Sequence, residues 1–252
     1  IQAGNGTLGA AERKAIADQV RGYCNQYRES DFAFVSRLLE EDGYLYWFEH
    51  TEAGEELVIS AASAKARRVP GASEVLFRDL NHTEGRALSF WEWGERIAPV
   101  PNKVSLHDTH HLWDGAVVGP NPAEKSAEAK GGGPAHRSEL FDFPGGGGGV
   151  NDKGQVKDRN TSLAEIRLQS ARAEQRRFTG VGDIFAIACG AKVEMKEHPN
   201  SAWNQEYLIL GTTHSLTSQS HRSGGGGGEL QVSVEAIPLN VPWRPALRTP
   251  KP

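Results

Sequence analysis

The residue types closest to a reactive constellation are in His107-Asp108-Thr109-His110-His111. Imidazoles beside a carboxylate are what a zinc ion or a general base would use. On a strand, however, His107 and His111 share one face while His110 points to the other. The run therefore offers two ligands and needs others from far along the chain. We expect surface or interface histidines here, with a zinc-dependent hydrolase built on His107, His110 or His111 as the rival reading. The sequence contains no His-Glu-x-x-His, no Gly-x-Ser-x-Gly, no phosphate-binding glycine loop ending in Lys-Ser/Thr and no Cys-x-x-Cys. No residue is assigned a catalytic, cofactor-binding or metal-binding role.

Two other groups could carry binding. The aromatic residues Tyr44, Tyr46, Trp47, Phe48, Phe90, Trp91 and Trp93 are expected to pack in a core or a subunit interface. A carbohydrate platform on Trp91 and Trp93 is the rival. The arginines between Leu163 and Phe178 are expected on a solvated helix face salt-bridged through Glu165 and Glu174, with an acidic partner as the alternative. Cys24 and Cys189 match neither a metal-site spacing nor a dense disulfide scaffold, and are expected as buried or half-buried free thiols in a reducing compartment.

The elements that must position these residues differ between the two halves. Ser30 caps a helix whose apolar stripe is Phe32, Val35, Leu38 and Leu39, and Gly43 ends it in a left-handed conformation. Tyr44 to Phe48 and Leu57 to Ile59 then read as a hairpin packed under that helix. Ala87 to Trp93 and Lys103 to Leu106 add strands, giving helix plus antiparallel sheet over residues 1–118. Residues 119–135 are polar and read as a linker or loop. In residues 136–252, Ser162 and Glu165 have capping-box spacing and open a helix running from Leu163 to Phe178. Ile184–Ala188, Ala191–Met195, Tyr207–Leu210, His214–Thr217 and Leu230–Ile237 then read as short strands of a barrel or sandwich. The proline-rich tail from Pro238 to Pro252 is expected to run extended, as a connector. Gly131–Gly133, Gly145–Gly149 and Gly224–Gly228 read as linkers or loops. The fold class is α+β, rich in β.

Composition narrows the function. With 28 Lys+Arg against 32 Asp+Glu the formal net charge is −4, which does not suit a surface dedicated to nucleic acid or anionic lipid. The longest apolar run, Ile184 to Cys189, falls far short of the roughly 20 residues that span a bilayer. The chain opens on Ile1 with no visible signal peptide, and its start reads as truncated.

The run from Tyr23 through Tyr27-Arg28-Glu29-Ser30-Asp31-Phe32 to Gly43, continuing into Tyr44 to His50, resembles the VgrG family of type VI secretion spike proteins. His198-Pro199-Asn200, Asn204-Gln205-Glu206-Tyr207-Leu208, and Ala236-Ile237-Pro238 through Trp243-Arg244-Pro245 to Pro252 agree with it. The resemblance implies barrel-like hub domains of the phage baseplate type, assembled as a homotrimer. It implies that the trimer joins a hexameric Hcp tube to a needle, with a spike tip protein and effectors engaged through regions beyond this chain. It also implies assembly in the bacterial cytoplasm followed by secretion or injection into a target cell, without catalysis and without cofactors. The hub of a contractile phage tail is the nearest alternative. Because the family carries a further segment ahead of this region, the strands after Gly180 are expected to lack partners and expose sheet edges.

Overall fold

The computed structural model describes residues 21, 24–51, 54–61, 66–68, 71–78, 88–109, 117–118, 138–146, 153–217 and 229–252. In chain order the helices are α1 (Asp31–Asp42) and α2 (Lys153–Ala173), with a 3-10 turn at Ser201–Trp203. The strands are β1 (Leu45–Thr51), β2 (Gly54–Ser60), β3 (Arg67–Arg68), β4 (Glu74–Phe77), β5 (Ser89–Ile97), β6 (Lys103–Leu106) and β7 (Asp108–Thr109). They continue as β8 (Val117–Val118), β9 (Glu139–Asp142), β10 (Arg176–Gly182), β11 (Ala191–Lys196), β12 (Glu206–Thr217) and β13 (Glu229–Pro238). These elements form two compact units, and each unit draws on both halves of the chain. One comprises residues 1–62, 98–175 and 243–252, the other 63–97 and 176–242. The stretch 119–135, expected to link the halves, lies outside the described residues, as do Gly131–Gly133 and Gly224–Gly228.

The second unit is a closed barrel. Its strands follow the order β12-β13-β10-β5-β4-β11, and β11 pairs back onto β12 to complete the ring. The inward residues alternate as a half-buried strand requires: Ala191, Val193 and Met195 on β11, and Val232, Val234 and Ala236 on β13, are all in the core. Large and small residues then meet across strands. Gly180 lies opposite Trp93 and Gly182 opposite Phe90, the register skipping Trp91. A second irregularity separates Ile209 and Gly211 on β12. Such bulges bend strands strongly enough to close a small ring. The exposed sheet edges expected after Gly180 are therefore corrected: β4 and β5, from residues 74–97, fill the gap and no upstream strand is needed for closure. The expected strand at Ile184–Ala188 is also absent. That run forms turns with Ile184 and Ile187 buried at 1% exposure each, three residues apart, as a turn places them.

The first unit has α1, the β1–β2 hairpin, α2, a parallel pair β6–β9, the short pair β7–β8 and the C-terminal tail. Parallel pairing here, and of β4 with β5 and with β11 in the barrel, makes the sheet content mixed rather than purely antiparallel. Ser30 caps α1, its Oγ accepting from Ala33 N at 3.2 Å, and Gly43 closes it at φ 72°. The stripe expected to bury Phe32 and Val35 is turned outward, with these residues 67% and 45% exposed. The bidentate pair between Arg37 and Glu29 and the bond from Arg37 to Asn25 O hold the opposite side of the helix inward. α2 begins at Lys153, well before Ser162, so Ser162 and Glu165 lie inside a helix rather than at its cap. Packing explains this: Leu163, Ala164 and Leu168 form one core with Val104 and Leu106 of β6, and that contact favours helix on both sides of the apparent cap. The helix also ends at Ala173, leaving Phe178 in β10.

After β13 the tail turns at residues 239–241, where Val241 N donates to Pro238 O, then runs on without helix or strand and is tied down. Trp243 packs against Leu45, Trp47 and Val58 of the hairpin. Arg244 donates to Gly43 O at 2.8 Å, to Ala61 O, and to Gln169 Oε1 at 3.0 Å. Glu40 of α1 accepts from Arg248 N, Thr249 N and Thr249 Oγ1, each at 2.9 Å. Hydrogen bonds to a charged acceptor contribute about 1.5–3 kcal/mol each when satisfied. Glu40→Ala is thus expected to release this end of the tail and raise hydrogen exchange at the Arg248 and Thr249 amides by about tenfold or more. Amide exchange by mass spectrometry measures it, with the barrel strands unchanged as the internal reference.

Candidate functional site

The histidine run does not assemble into a metal centre that the structure describes. His107 follows β6, and its ring lies 5.2 Å from that of Phe141. Asp108 is 2% exposed. His110 and His111 lie outside the described residues. Among the described residues no group of three or more His, Cys, Asp or Glu side chains could hold a metal ion.

The aromatic residues read as one cluster belong to two different units. Tyr44 to Phe48 are in the first and Phe90 to Trp93 in the second. Phe90 and Trp93 are barrel core at 0% and 6% exposure. The Trp93 ring stands 5.0 Å from Phe90, 5.0 Å from Tyr207 and 6.0 Å from Phe178. Trp93 is consequently closed to a sugar, and Trp91 sits at the bulge of β5, so the pair cannot form one platform. Of the arginines between Leu163 and Phe178, Arg167 is half-buried, pairs with Asp142 and donates to Gly145 O, and Arg176 pairs with Glu95. Both cysteines are free, as expected, but exposed rather than buried. Partial desolvation nonetheless pushes the Cys189 thiol up, and Sγ donates to Leu210 O at 3.0 Å.

His198-Pro199-Asn200 has the composition of a turn between strands, and the structure shows how Asn204 closes it at the barrel. Asn204 clasps the turn by accepting from His198 N at 2.8 Å and donating to His198 O at 2.9 Å. Asn200 N donates to His198 Nδ1 at 3.0 Å. The imidazole lies 4.3 Å from the ring of Phe77 and 4.7 Å from that of Trp203, and Trp203 O accepts from the Tyr207 hydroxyl at 2.9 Å. A nitrogen that accepts from an amide must carry no proton, so this turn requires neutral His198. Burial likewise holds its pKa below the ordinary value. The unfolded chain then binds more protons than the folded one between the lowered value and about 6.5. Stability is fully present above about pH 6.5 and is lost as pH falls toward the lowered value. The thermal midpoint of the wild type should therefore drop faster through that window than that of His198→Phe.

The second unit thus holds a closed barrel with a clasped turn, and the first an anchored tail. Against known families, the model described as phage tail baseplate hub (GPD) matches residues 6–220. The chain belongs to that family. Its sequence relatives include the type VI secretion system spike proteins VgrG1b and VgrG1a of Pseudomonas aeruginosa. They are 27% and 28% identical, each over 91% of this chain. The alignments cover 30% and 34% of those proteins, so the chain spans about a third of their length. The actin cross-linking toxin VgrG1 of Vibrio cholerae is 25% identical over 92% of the chain, which covers only 20% of the toxin. In fold, the hub resembles an Escherichia coli component of the type VI secretion system at TM-score 0.51 and 18% identity, covering 90% of this chain and 42% of the other. A tail protein from Neisseria meningitidis matches at TM-score 0.51 and 13% identity, covering 86% and 57%. Baseplate hub and spike relatives account for the β-rich, barrel-containing architecture that the sequence implied. Among the described residues no helix is long and apolar enough to cross a membrane.

Proposed function

We propose that this chain is hub material of a type VI secretion spike. Three copies assemble about an axis, and the ring they form joins a hexameric Hcp tube to a needle. It is built in the bacterial cytoplasm and leaves with the tube into a target cell, and it works by shape and association, without catalysis. The observation that carries this reading is alignment over nine-tenths of the chain with proteins that are themselves named spike proteins. A barrel whose interior is filled by Phe90, Trp93, Phe178 and Tyr207 supports it, because a packed rigid body suits a mechanical joint and leaves no room for substrate. The anchored tail supports it as well: a fixed exit gives whatever follows a defined direction. The cross-linking named for the Vibrio cholerae relative is attributed to that protein, only a fifth of which aligns here. A contractile phage tail hub is the second reading, favoured by the family description and by the Neisseria meningitidis tail protein.

Electron microscopy of the chain mixed with assembled Hcp tubes tests the proposal. Density capping one end of the tubes is the expected result. Bare tube ends at saturating protein would overturn the joining role.

A further inference from the structure

The chain between Asn25 and Asp31 is a short turn held in one shape from both sides. Gln26 Nε2 donates across it to Glu29 O at 3.2 Å and to Asp31 Oδ1 at 2.7 Å. From α1, Arg37 donates to Asn25 O at 2.8 Å and to the two carboxylate oxygens of Glu29 at 2.7 and 2.8 Å. Residues before and after the tip are thereby fixed, and the tip itself is Tyr27-Arg28.

The conformation of that tip calls for a reason. Arg28 has φ 51°, a left-handed conformation that is unfavourable for a residue with a Cβ and that glycine or asparagine adopts more readily. Strain of this kind persists where surrounding bonds over-determine it, and it collects at functional sites. Burial does not offset it here. Arg28 is exposed and Tyr27 is 54% exposed, with the Arg28 guanidinium 5.2 Å from the centre of the Tyr27 ring.

Charge singles out the same residue. Arg37 is matched by Glu29, and Arg21 by Glu41 and Asp42. The acids of the turn are also engaged, Glu29 by Arg37 and Asp31 by Gln26. Among the described residues no carboxylate is paired with Arg28, whose one contact of this kind is the Tyr27 ring. A planar guanidinium stacked on an aromatic face still has its N–H edge free for a two-pronged acceptor.

We propose that the Tyr27-Arg28 tip docks a protein segment carrying an Asp or Glu beside an apolar side chain. The carboxylate takes the guanidinium edge and the apolar group covers the Tyr27 ring. Arginine and tyrosine are the residue types that dominate binding at such contacts, and anchors already held in place lose little freedom on engagement. A carboxylate is favoured over the phosphates of a nucleic acid, which need a concentrated basic face. Here a single arginine is followed by Glu29 and Asp31, in a chain of net charge −4. The inference does not rest on the hub reading, because it follows from the turn alone.

The test uses the full chain and three fluorescent probes: a short peptide alternating Leu and Asp, one alternating Leu and Lys, and a single-stranded oligonucleotide. The Leu-Asp peptide should bind with an affinity that falls as salt rises, and the other two should stay free. Arg28→Asn should weaken that binding by about tenfold or more and leave the thermal midpoint unchanged or higher, since Asn accepts the left-handed conformation. Arg28→Lys keeps the charge but loses the planar fork, and should also bind more weakly. A Leu-Asp peptide that stays free, or binding undiminished in Arg28→Asn, would overturn the proposal. So would a midpoint clearly lowered in Arg28→Asn, because the arginine would then be structural. Oligonucleotide binding abolished by Arg28→Asn would make the occupant a phosphate, and self-association abolished by it would make the occupant a second copy; either result overturns the proposal.

Discussion

Gly182→Ala should disable the barrel. An added Cβ would lie 2.3 Å from Ser89 O and 3.0 Å from Phe90 Cα, and both are backbone atoms of the neighbouring strand. They cannot retreat easily, because Ser89 N donates to Asp183 Oδ1 at 2.7 Å and Asp183 N donates back to Ser89 O at 3.2 Å. Overpacking in a core typically costs about 1–3 kcal/mol even where side chains can shift. With backbone on the far side of the clash, the expected cost is at the upper end, about 3 kcal/mol. The modest strand preference of Ala over Gly, under about 1 kcal/mol, does not offset it. Gly211→Ala is the matched control, since an added Cβ there meets nothing within 4 Å. Chemical denaturation followed by near-ultraviolet circular dichroism should show a large loss for the first variant and almost none for the second.

Phe178→Ala should be comparably damaging for the opposite reason, by emptying space. Phe178 is fully buried and touches three rings: Tyr207 at 4.9 Å, Trp203 at 5.8 Å and Trp93 at 6.0 Å. The Arg176 guanidinium lies over its face at 5.1 Å and pairs with Glu95. Large-to-small changes at such sites cost about 3–5 kcal/mol, a large part of the total stability of an ordinary domain. Phe185→Ala offers the contrast: 66% exposed, it should change stability by no more than about 0.5 kcal/mol. Urea unfolding of the two variants, with tryptophan fluorescence as the signal, separates them. A Phe178→Ala protein as stable as Phe185→Ala would mean that the aromatic cluster is not the core of the barrel.

What could be read in advance was local. Ser30, Gly43 and the aromatic run at Tyr44–Phe48 specify α1 and the hairpin through contacts a few residues apart, and those elements are present. Barrel closure depends on Trp93 meeting Gly180 and Phe90 meeting Gly182, pairings between segments that no periodicity connects. Local rules failed where tertiary packing overrode them. Ser162 and Glu165 have cap spacing, yet Leu163, Ala164 and Leu168 bind that stretch to β6. Phe32 and Val35 look like core from helical spacing alone, but which side of α1 faces inward is decided by Arg37 and its partner Glu29. The functional features were harder still. Glu40 is an ordinary helix-surface glutamate until the tail returns to it from residues 248–249. The His107–His111 run drew attention by residue type, although chemistry needs convergent geometry and not only neighbours in sequence.

The proposed function stands on association of this chain with itself, and sedimentation equilibrium of residues 1–252 over a wide concentration range tests that most directly. The account predicts a species with the mass of three chains, dissociating on dilution without passing through a stable dimer. A monomer at every concentration, or a dimer, would contradict it.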